Sequence, residues 1–157
     1  MHGAVMTRAD AADVAILSAA VADYAPVERA PQKVPKGDDT ISLMLRKTPD
    51  ILGDLGARRL SSGRGPLLVG FAAETEDVIA RAKAKREKKR ADFIVANDVS
   101  RSDAGFDVDT NAVTIVGPDG AEPLPLQTKA RVASAILDRI EALLSRRPAE
   151  TGRLAKG

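Results

Sequence analysis

No cysteine occurs in the 157 residues, which removes disulfides, thiolate nucleophiles and thiolate metal sites together. Tryptophan is absent too, and three phenylalanines and one tyrosine complete the aromatic set. The core must therefore be assembled from Ala, Val, Leu and Ile. The only histidine, His2, stands beside the first methionine and reads as a terminal residue rather than a ligand. No apolar run approaches the ~20 residues of a membrane span, and no stretch resembles a signal peptide. The expectation is a cytoplasmic protein that meets no membrane. Missing as well are the G-x-G-x-x-G dinucleotide fingerprint, the G-x-x-x-x-G-K-[ST] phosphate loop, the H-E-x-x-H metal pattern and the G-x-S-x-G nucleophile elbow. A net charge of only +2 gives poor whole-molecule steering toward nucleic acid.

What is present is ordinary in bulk: 44% apolar and 29% charged residues, the balance of one soluble globular domain. We place that domain over residues 1–147 and expect a disordered tail over 148–157. The chain is organised around residues 67–100. Leu67, Leu68, Val69, Gly70 and Phe71 read as a strand buried on both faces of a parallel sheet. Ala72 and Ala73 turn the chain, Thr75 is the candidate N-cap, and a helix runs to about Arg90. Phe93, Ile94, Val95 and Ala96 form the next buried strand. Such a strand–helix–strand crossover is right-handed by general rule.

Seven of the ten residues from Arg81 to Arg90 are Lys or Arg, with one Glu among them. At helical spacing Val78, Ala82, Lys85 and Lys89 share a face, so two ammonium groups project where small residues pack near the strand. Two readings stand. The cations form a solvated face that suits a helix C-terminus, or Lys85 and Lys89 hold a polyanion such as a triphosphate beside the sheet.

Residues 3–12 look like the end of a helix, and residues 14–18 follow as a buried strand. Asp23 lies just beyond that strand's C-terminal end, where open α/β sheets bind ligands; a turn or capping role is the equal alternative. Residues 25–40 hold Pro26, Pro31, Pro35 and Gly37 with Lys33 and Lys36 between, a composition that precludes helix. This loop is read either as a plain connection or as a flap that closes on a ligand. Ile41, Leu43 and Leu45 alternate as a strand. Thr48 as candidate N-cap and Pro49 in the first turn open a helix to about Leu60, whose first N–H groups can meet phosphate. Residues 113–116 and 122–126 flank Pro118-Asp119-Gly120 as a β-hairpin. Thr128 caps a final amphipathic helix with Val132, Ala133, Ile136, Leu137, Ile140, Leu143 and Leu144 on its apolar face. The fold class is α/β: three-layer and Rossmann-like, with a mostly parallel sheet, a C-terminal hairpin and that last helix.

The chemistry-bearing positions are thus Asp23, Lys33, the Thr48-Pro49-Asp50 helix start, Phe71, Lys85 and Lys89. They suit a nucleotide: an aromatic or backbone edge for the base, lysines for phosphate, a carboxylate for ribose or a metal. Five motifs carry a closer resemblance. In order they are Ser18-Ala19-Ala20-Val21-Ala22-Asp23-Tyr24, Lys33-Val34-Pro35-Lys36, Lys47-Thr48-Pro49-Asp50-Ile51, Gly70-Phe71-Ala72-Ala73-Glu74-Thr75 and Ala96-Asn97-Asp98-Val99. In sequence and spacing the chain resembles the phosphopantothenate–cysteine ligase family over about residues 3–144.

The resemblance implies a CTP-dependent, amide-forming ligase that joins 4'-phosphopantothenate to L-cysteine through an acyl-cytidylate, with Mg²⁺ as cofactor. It further implies a homodimer, commonly the C-terminal half of a bifunctional coenzyme A biosynthesis protein linked to a phosphopantothenoylcysteine decarboxylase domain. Carried over by motif, Leu17, Ser18, Ala19, Asp23 and Lys33 contact CTP. Pro49, Asp50, Ile51 and Leu52 meet it at the helix start, Phe71 lies near the base, and Lys85 and Lys89 line the basic face. Asp23 and Lys33 are the catalytic candidates, and no metal ligand is assigned. Family members also carry, ahead of the strand near Val14, a βα unit and a Ser-Ser-Gly-Lys-type loop that are absent here. The expectation is a fragment, or numbering from an internal methionine, with catalysis by this chain alone impaired. The rival from another class is a non-catalytic basic module that binds nucleic acid through residues 81–90. It lacks aromatics interleaved for base stacking. A Rossmann-like NAD enzyme, without its glycine fingerprint, ranks last.

Overall fold

Three of the strands expected to be buried neighbours do lie side by side and parallel. A computed structural model describes residues 1–28, 30–33, 40–100 and 108–147. In chain order, α1 (His2–Arg8) runs into a 3₁₀ turn (Ala9–Ala11), followed by β1 (Val14–Leu17), β2 (Tyr24–Pro26), β3 (Leu45–Lys47) and α2 (Ile51–Ser62). Next come β4 (Leu67–Glu74), α3 (Val78–Lys89), β5 (Phe93–Asp98), β6 (Thr110–Asn111), β7 (Val113–Gly117), β8 (Gly120–Pro123), β9 (Gln127–Thr128) and α4 (Lys129–Arg146). The main sheet is ordered β1-β4-β5-β7-β8. Val14 to Leu17 pair with Leu67 to Gly70, and Val69 to Glu74 pair with Phe93 to Asp98, all parallel. β7 joins β5 antiparallel, and β8 turns back on β7 through Pro118 and Asp119, the expected hairpin.

Strand alternation sends side chains to two cores. Leu68, Ala72, Ile94 and Ala96 pack with Ile51, Leu52 and Leu55 of α2 and Ala82 of α3. Leu67, Val69, Phe93, Val95 and Ile115 pack with Val132, Ile136 and Ile140 of α4. Helices thus cover both faces, giving the three layers. Each fully buried Leu, Ile or Phe contributes roughly 1.5–3 kcal/mol of transfer free energy.

Several local expectations change. β1 is not buried: among the described residues it is an edge strand, paired with β4 on one side, and Ile16 remains 43% exposed. β4 continues through Ala73 and Glu74 because β5 supplies a hydrogen-bonding partner that far. The helix therefore begins after Asp77, a residue at φ 48° with no side-chain cap, and not at Thr75. The Ile41–Leu45 alternation does not make a strand over that span; only Leu45–Lys47 pairs, with Tyr24–Pro26, in a separate two-stranded ribbon. Ile41, Leu43 and Met44 find no core and stay exposed. α2 is capped by Asp50, whose carboxylate accepts the Gly53 N–H at 3.0 Å, while the Thr48 hydroxyl donates to Ala22 O at 2.7 Å. Thr128 does cap α4, accepting from Arg131 N at 3.4 Å. On α4, Ala133 and Leu137 face outward, since the apolar stripe is wider than the surface it covers. Of the proline-rich loop, β2 is ordered ribbon and residues 29 and 34–39, including Lys36, lie outside the described residues, as does the tail from 148.

At the N-terminal end of the sheet, Asp92 ties three elements together. One carboxylate oxygen accepts the Leu68 N–H at 2.7 Å and Arg59 Nη1 at 2.5 Å. The other lies 3.7 Å from Arg147 beyond α4. This clasp stands at the opposite end from the C-terminal strand ends, where the cleft described below opens.

Candidate functional site

Where β1 ends, Leu17, Ser18 and Ala19 lead into a tight turn closed by Val21 N to Ala19 O at 3.0 Å. The chain then runs through Asp23 into the ribbon, and Thr48 N donates to Asp23 O at 2.9 Å. Together with the Thr48 hydroxyl bond to Ala22 O, this fixes the β1 loop to the start of α2. Between them, β4 and α3 enclose a cleft of about 550 Å³, within the ~300–1,000 Å³ usual for small-molecule sites.

The cleft gathers nearly every position proposed from sequence. Leu17, Ser18, Ala19, Asp23, Pro49, Asp50, Ile51, Leu52, Phe71, Lys85 and Lys89 all line it. Lys33 does not; it is exposed on the loop after β2. The shared helix face holds as expected. Ala82 is fully buried, and Lys85 and Lys89 are drawn inward rather than left in solvent. Lys85 Nζ donates to the Phe71 carbonyl at 2.7 Å. Lys89 Nζ pairs with the second carboxylate oxygen of Asp50. α2 and α3 can touch here because position 56 is glycine: a Cβ on Gly56 would overlap the Lys89 carbonyl.

The ring of Phe71 packs toward the α4-side core, and its backbone carbonyl is what it gives to Lys85. Residues not singled out from the sequence are Ile16, Val21, Tyr24 and Lys47, with Val5 of α1 and Met1 just before it. Val21, Tyr24 and Lys47 sit inside the quoted motifs, so their neighbours were a usable signal. The approach of α1 had none.

Asp50 carries the clearest electrostatic signature. Partial burial pushes its carboxyl up, but the Lys89 hydrogen bond, the Gly53 N–H and the charges of Lys89 and Lys47 together hold it below its ordinary value of 3.8. A carboxyl whose folded pKa is depressed adds stability above the unfolded pKa and loses it as pH falls through the folded one. Asp50→Asn keeps the cap acceptor but not the charge. We expect its stability deficit against wild type to be full at pH 7 and to shrink as pH falls below 3.8. Urea titrations of both proteins at stepped pH check this; a deficit that stays constant with pH would contradict it.

The comparison with known proteins decides the family. A model of the DFP family, described as the DNA/pantothenate metabolism flavoprotein C-terminal domain, matches residues 1–144. The chain belongs to the DFP family. It is 43% identical over 146 residues to the coenzyme A biosynthesis bifunctional protein CoaBC of Vibrio vulnificus (strain YJ016), covering 92% of this chain and 36% of that protein. To the protein of the same name from Bacillus subtilis (strain 168) it is 44% identical over 144 residues, 91% of this chain and 34% of that one. The chain thus spans about a third of the length of these curated relatives. A crystal structure of the C-terminal domain of CoaBC superposes with a TM-score of 0.71 at 37% identity, over 92% of this chain and 61% of the other. The DFP-family fold, a mixed α/β sheet with helices on either side, is therefore shared. Among the described residues no helix is long and apolar enough to cross a membrane.

Proposed function

We propose that this chain forms the CTP-binding part of a phosphopantothenate–cysteine ligase acting in coenzyme A biosynthesis. The observation that carries the reading is the inward-turned pair Lys85 and Lys89, meeting the start of α2 in one cleft of a DFP-family chain. In the reaction a carboxylate oxygen of 4'-phosphopantothenate attacks the α-phosphorus of CTP, and pyrophosphate leaves with the electrons of the broken P–O bond. The amine of L-cysteine then attacks the acyl carbon of the cytidylate, loses a proton and displaces CMP. Neither step needs a nucleophile from the protein. It needs neutralised phosphate charge and in-line placement.

Lys85 and Lys89 would supply the charge from α3, with Lys47 beside them on β3. The turn at Leu17, Ser18 and Ala19 and the segment from Pro49 to Leu52 would hold the nucleoside by backbone and side-chain contact, with Asp23 a candidate for the ribose. Lys33 would act only if its loop reached the cleft. Among the described residues no group of three His, Cys, Asp or Glu is placed to hold a metal. We therefore assign Mg²⁺ to the nucleotide itself, since an ion that sits on phosphates and keeps several waters needs only one or two carboxylates; Asp23 is the carboxylate of the cleft that is not committed to Lys89. A homodimer and a linked decarboxylase domain belong to the same proposal, at the level of the full-length protein. The nucleic-acid reading, which rests on the seven cations of residues 81–90, has less support, because two of them, Lys85 and Lys89, turn inward to the cleft.

Calorimetry on this chain with CTP, ATP, GTP and UTP, each with and without Mg²⁺, tests the reading. CTP should bind at least about tenfold tighter than the others, a gap of ~1.4 kcal/mol, and Mg²⁺ should strengthen it. Absence of nucleotide binding, or equal binding of all four, would overturn it.

A further inference from the structure

One of the two inward-turned ammonium groups of α3 is already paired with a carboxylate. Lys89 is only 18% exposed, and its Nζ rests on Asp50, a carboxylate in the wall of the same cleft. Asp50 is held there independently of Lys89. Its first oxygen accepts the Gly53 N–H at 3.0 Å, capping α2. Its position also requires glycine three residues on: a Cβ at Gly53 would stand 2.6 Å from the second carboxylate oxygen. Lys47 is the further cation whose charge acts on Asp50. If Lys89 moves away, the carboxylate keeps its cap bond and the field of Lys47. It can therefore stay ionised in front of whatever anion has entered.

We propose that Asp50 is a built-in counter-anion that polyphosphate must displace from Lys89, and that it thereby weakens binding in step with ligand charge and favours release of pyrophosphate. This rests on the nucleotide reading above and deepens it: Asp50 acts as a positioning residue through Lys89. The physical reason is a competition for one ammonium. An incoming phosphate gains the Lys89 contact only by sharing it with, or taking it from, Asp50, and it also meets the repulsion of that carboxylate. A polyphosphate that engages Lys89 meets both costs in full, whereas a monophosphate with less charge near Asp50 meets little of either. When the ligand leaves, the renewed Lys89–Asp50 pair offsets part of the contact being lost.

The sign of this effect separates it from a simple contact role. Asp50→Asn retains an N-cap acceptor for Gly53 while removing the charge. Its affinity for CTP should rise roughly 3- to 10-fold, with a smaller gain for CDP and about 2-fold or less for CMP. Inorganic pyrophosphate, which needs no nucleoside contacts, should also bind more tightly. Calorimetry of wild type and Asp50→Asn with these four ligands reads the result, with thermal melts confirming that the variant is folded. Asp50→Ser, another good cap without charge, replaces it if the melt fails.

Tighter binding graded by ligand charge establishes the role. Equal or weaker binding by the charge-neutral variants, or a change of the same factor for CMP and CTP, overturns it while leaving the nucleotide reading intact. Wild type that binds pyrophosphate but no CTP sinks the nucleotide reading and still tests Asp50. Wild type that binds neither ends both.

Discussion

Replacing Lys85 and Lys89 together by alanine should lower the affinity for CTP by at least about 100-fold, because each charge-assisted bond to phosphate in a partly dry cleft is worth roughly 1.5–3 kcal/mol. Both ammonium groups reach the cleft from one face of α3, and their side chains are half-buried rather than solvated. Sequence reasoning alone makes these lysines indifferent to folding. The structure changes that detail, since Lys85 holds the Phe71 carbonyl and Lys89 holds Asp50. A stability loss of up to about 1 kcal/mol is therefore expected, small beside the effect on binding. Calorimetry with CTP and Mg²⁺, set beside urea titration, separates the two quantities. Undiminished CTP affinity in the double variant would remove the assignment of these residues.

The second large effect lies far from the cleft. Asp92→Ala should cost roughly 2–4 kcal/mol of folding stability. The substitution strips the acceptor from the N–H of Leu68, a fully buried residue, and leaves the Arg59 guanidinium without its carboxylate. It also frees Arg147, which lies 3.7 Å away at the end of α4. Arg59 keeps the Pro66 and Arg90 carbonyls, which limits the damage. Denaturant midpoints give the number, and nucleotide affinity of the folded fraction should not move, because Asp92 is not among the residues of the cleft. A loss below about 0.5 kcal/mol would show that the clasp contributes no more than an ordinary surface ion pair.

These two variants mark what could be read from the amino-acid order. Lys85 and Lys89 were visible because helical periodicity is a local property: Val78, Ala82, Lys85 and Lys89 must share a face wherever the helix is placed. The buried strands around Val69 and Ile94 were equally plain, as continuous apolar runs of strand length bounded by breakers. The Asp92 clasp was invisible, because its four participants come from the starts of β4 and β5, the body of α2 and the residue after α4. Nothing short of the assembled sheet brings them together.

Strand and helix ends followed the same division. The sequence placed a cap at Thr75 and another at Thr48 by residue type. In the fold, β5 extends the ladder of β4 past Ala73, and Ala22 takes the Thr48 hydroxyl, so neither cap forms. Likewise the alternation of Ile41, Leu43 and Leu45 promised a strand, but no surface of the described fold covers those side chains.

By itself, then, the sequence determined the α/β class, the three parallel strands, the hairpin, the capped last helix and most, though not all, of the residues that meet in the cleft. Each of these depends on patterns a few residues long or on motifs that keep their spacing. Tertiary structure alone decided which strand lies at the edge, where strands stop, and that Lys89 is held by Asp50 while Lys33 stands outside the cleft. Those outcomes depend on which hydrogen-bonding and charged groups are neighbours across tens of residues. That is set by the packing of α2 against α3, where glycine at position 56 lets the two helices touch.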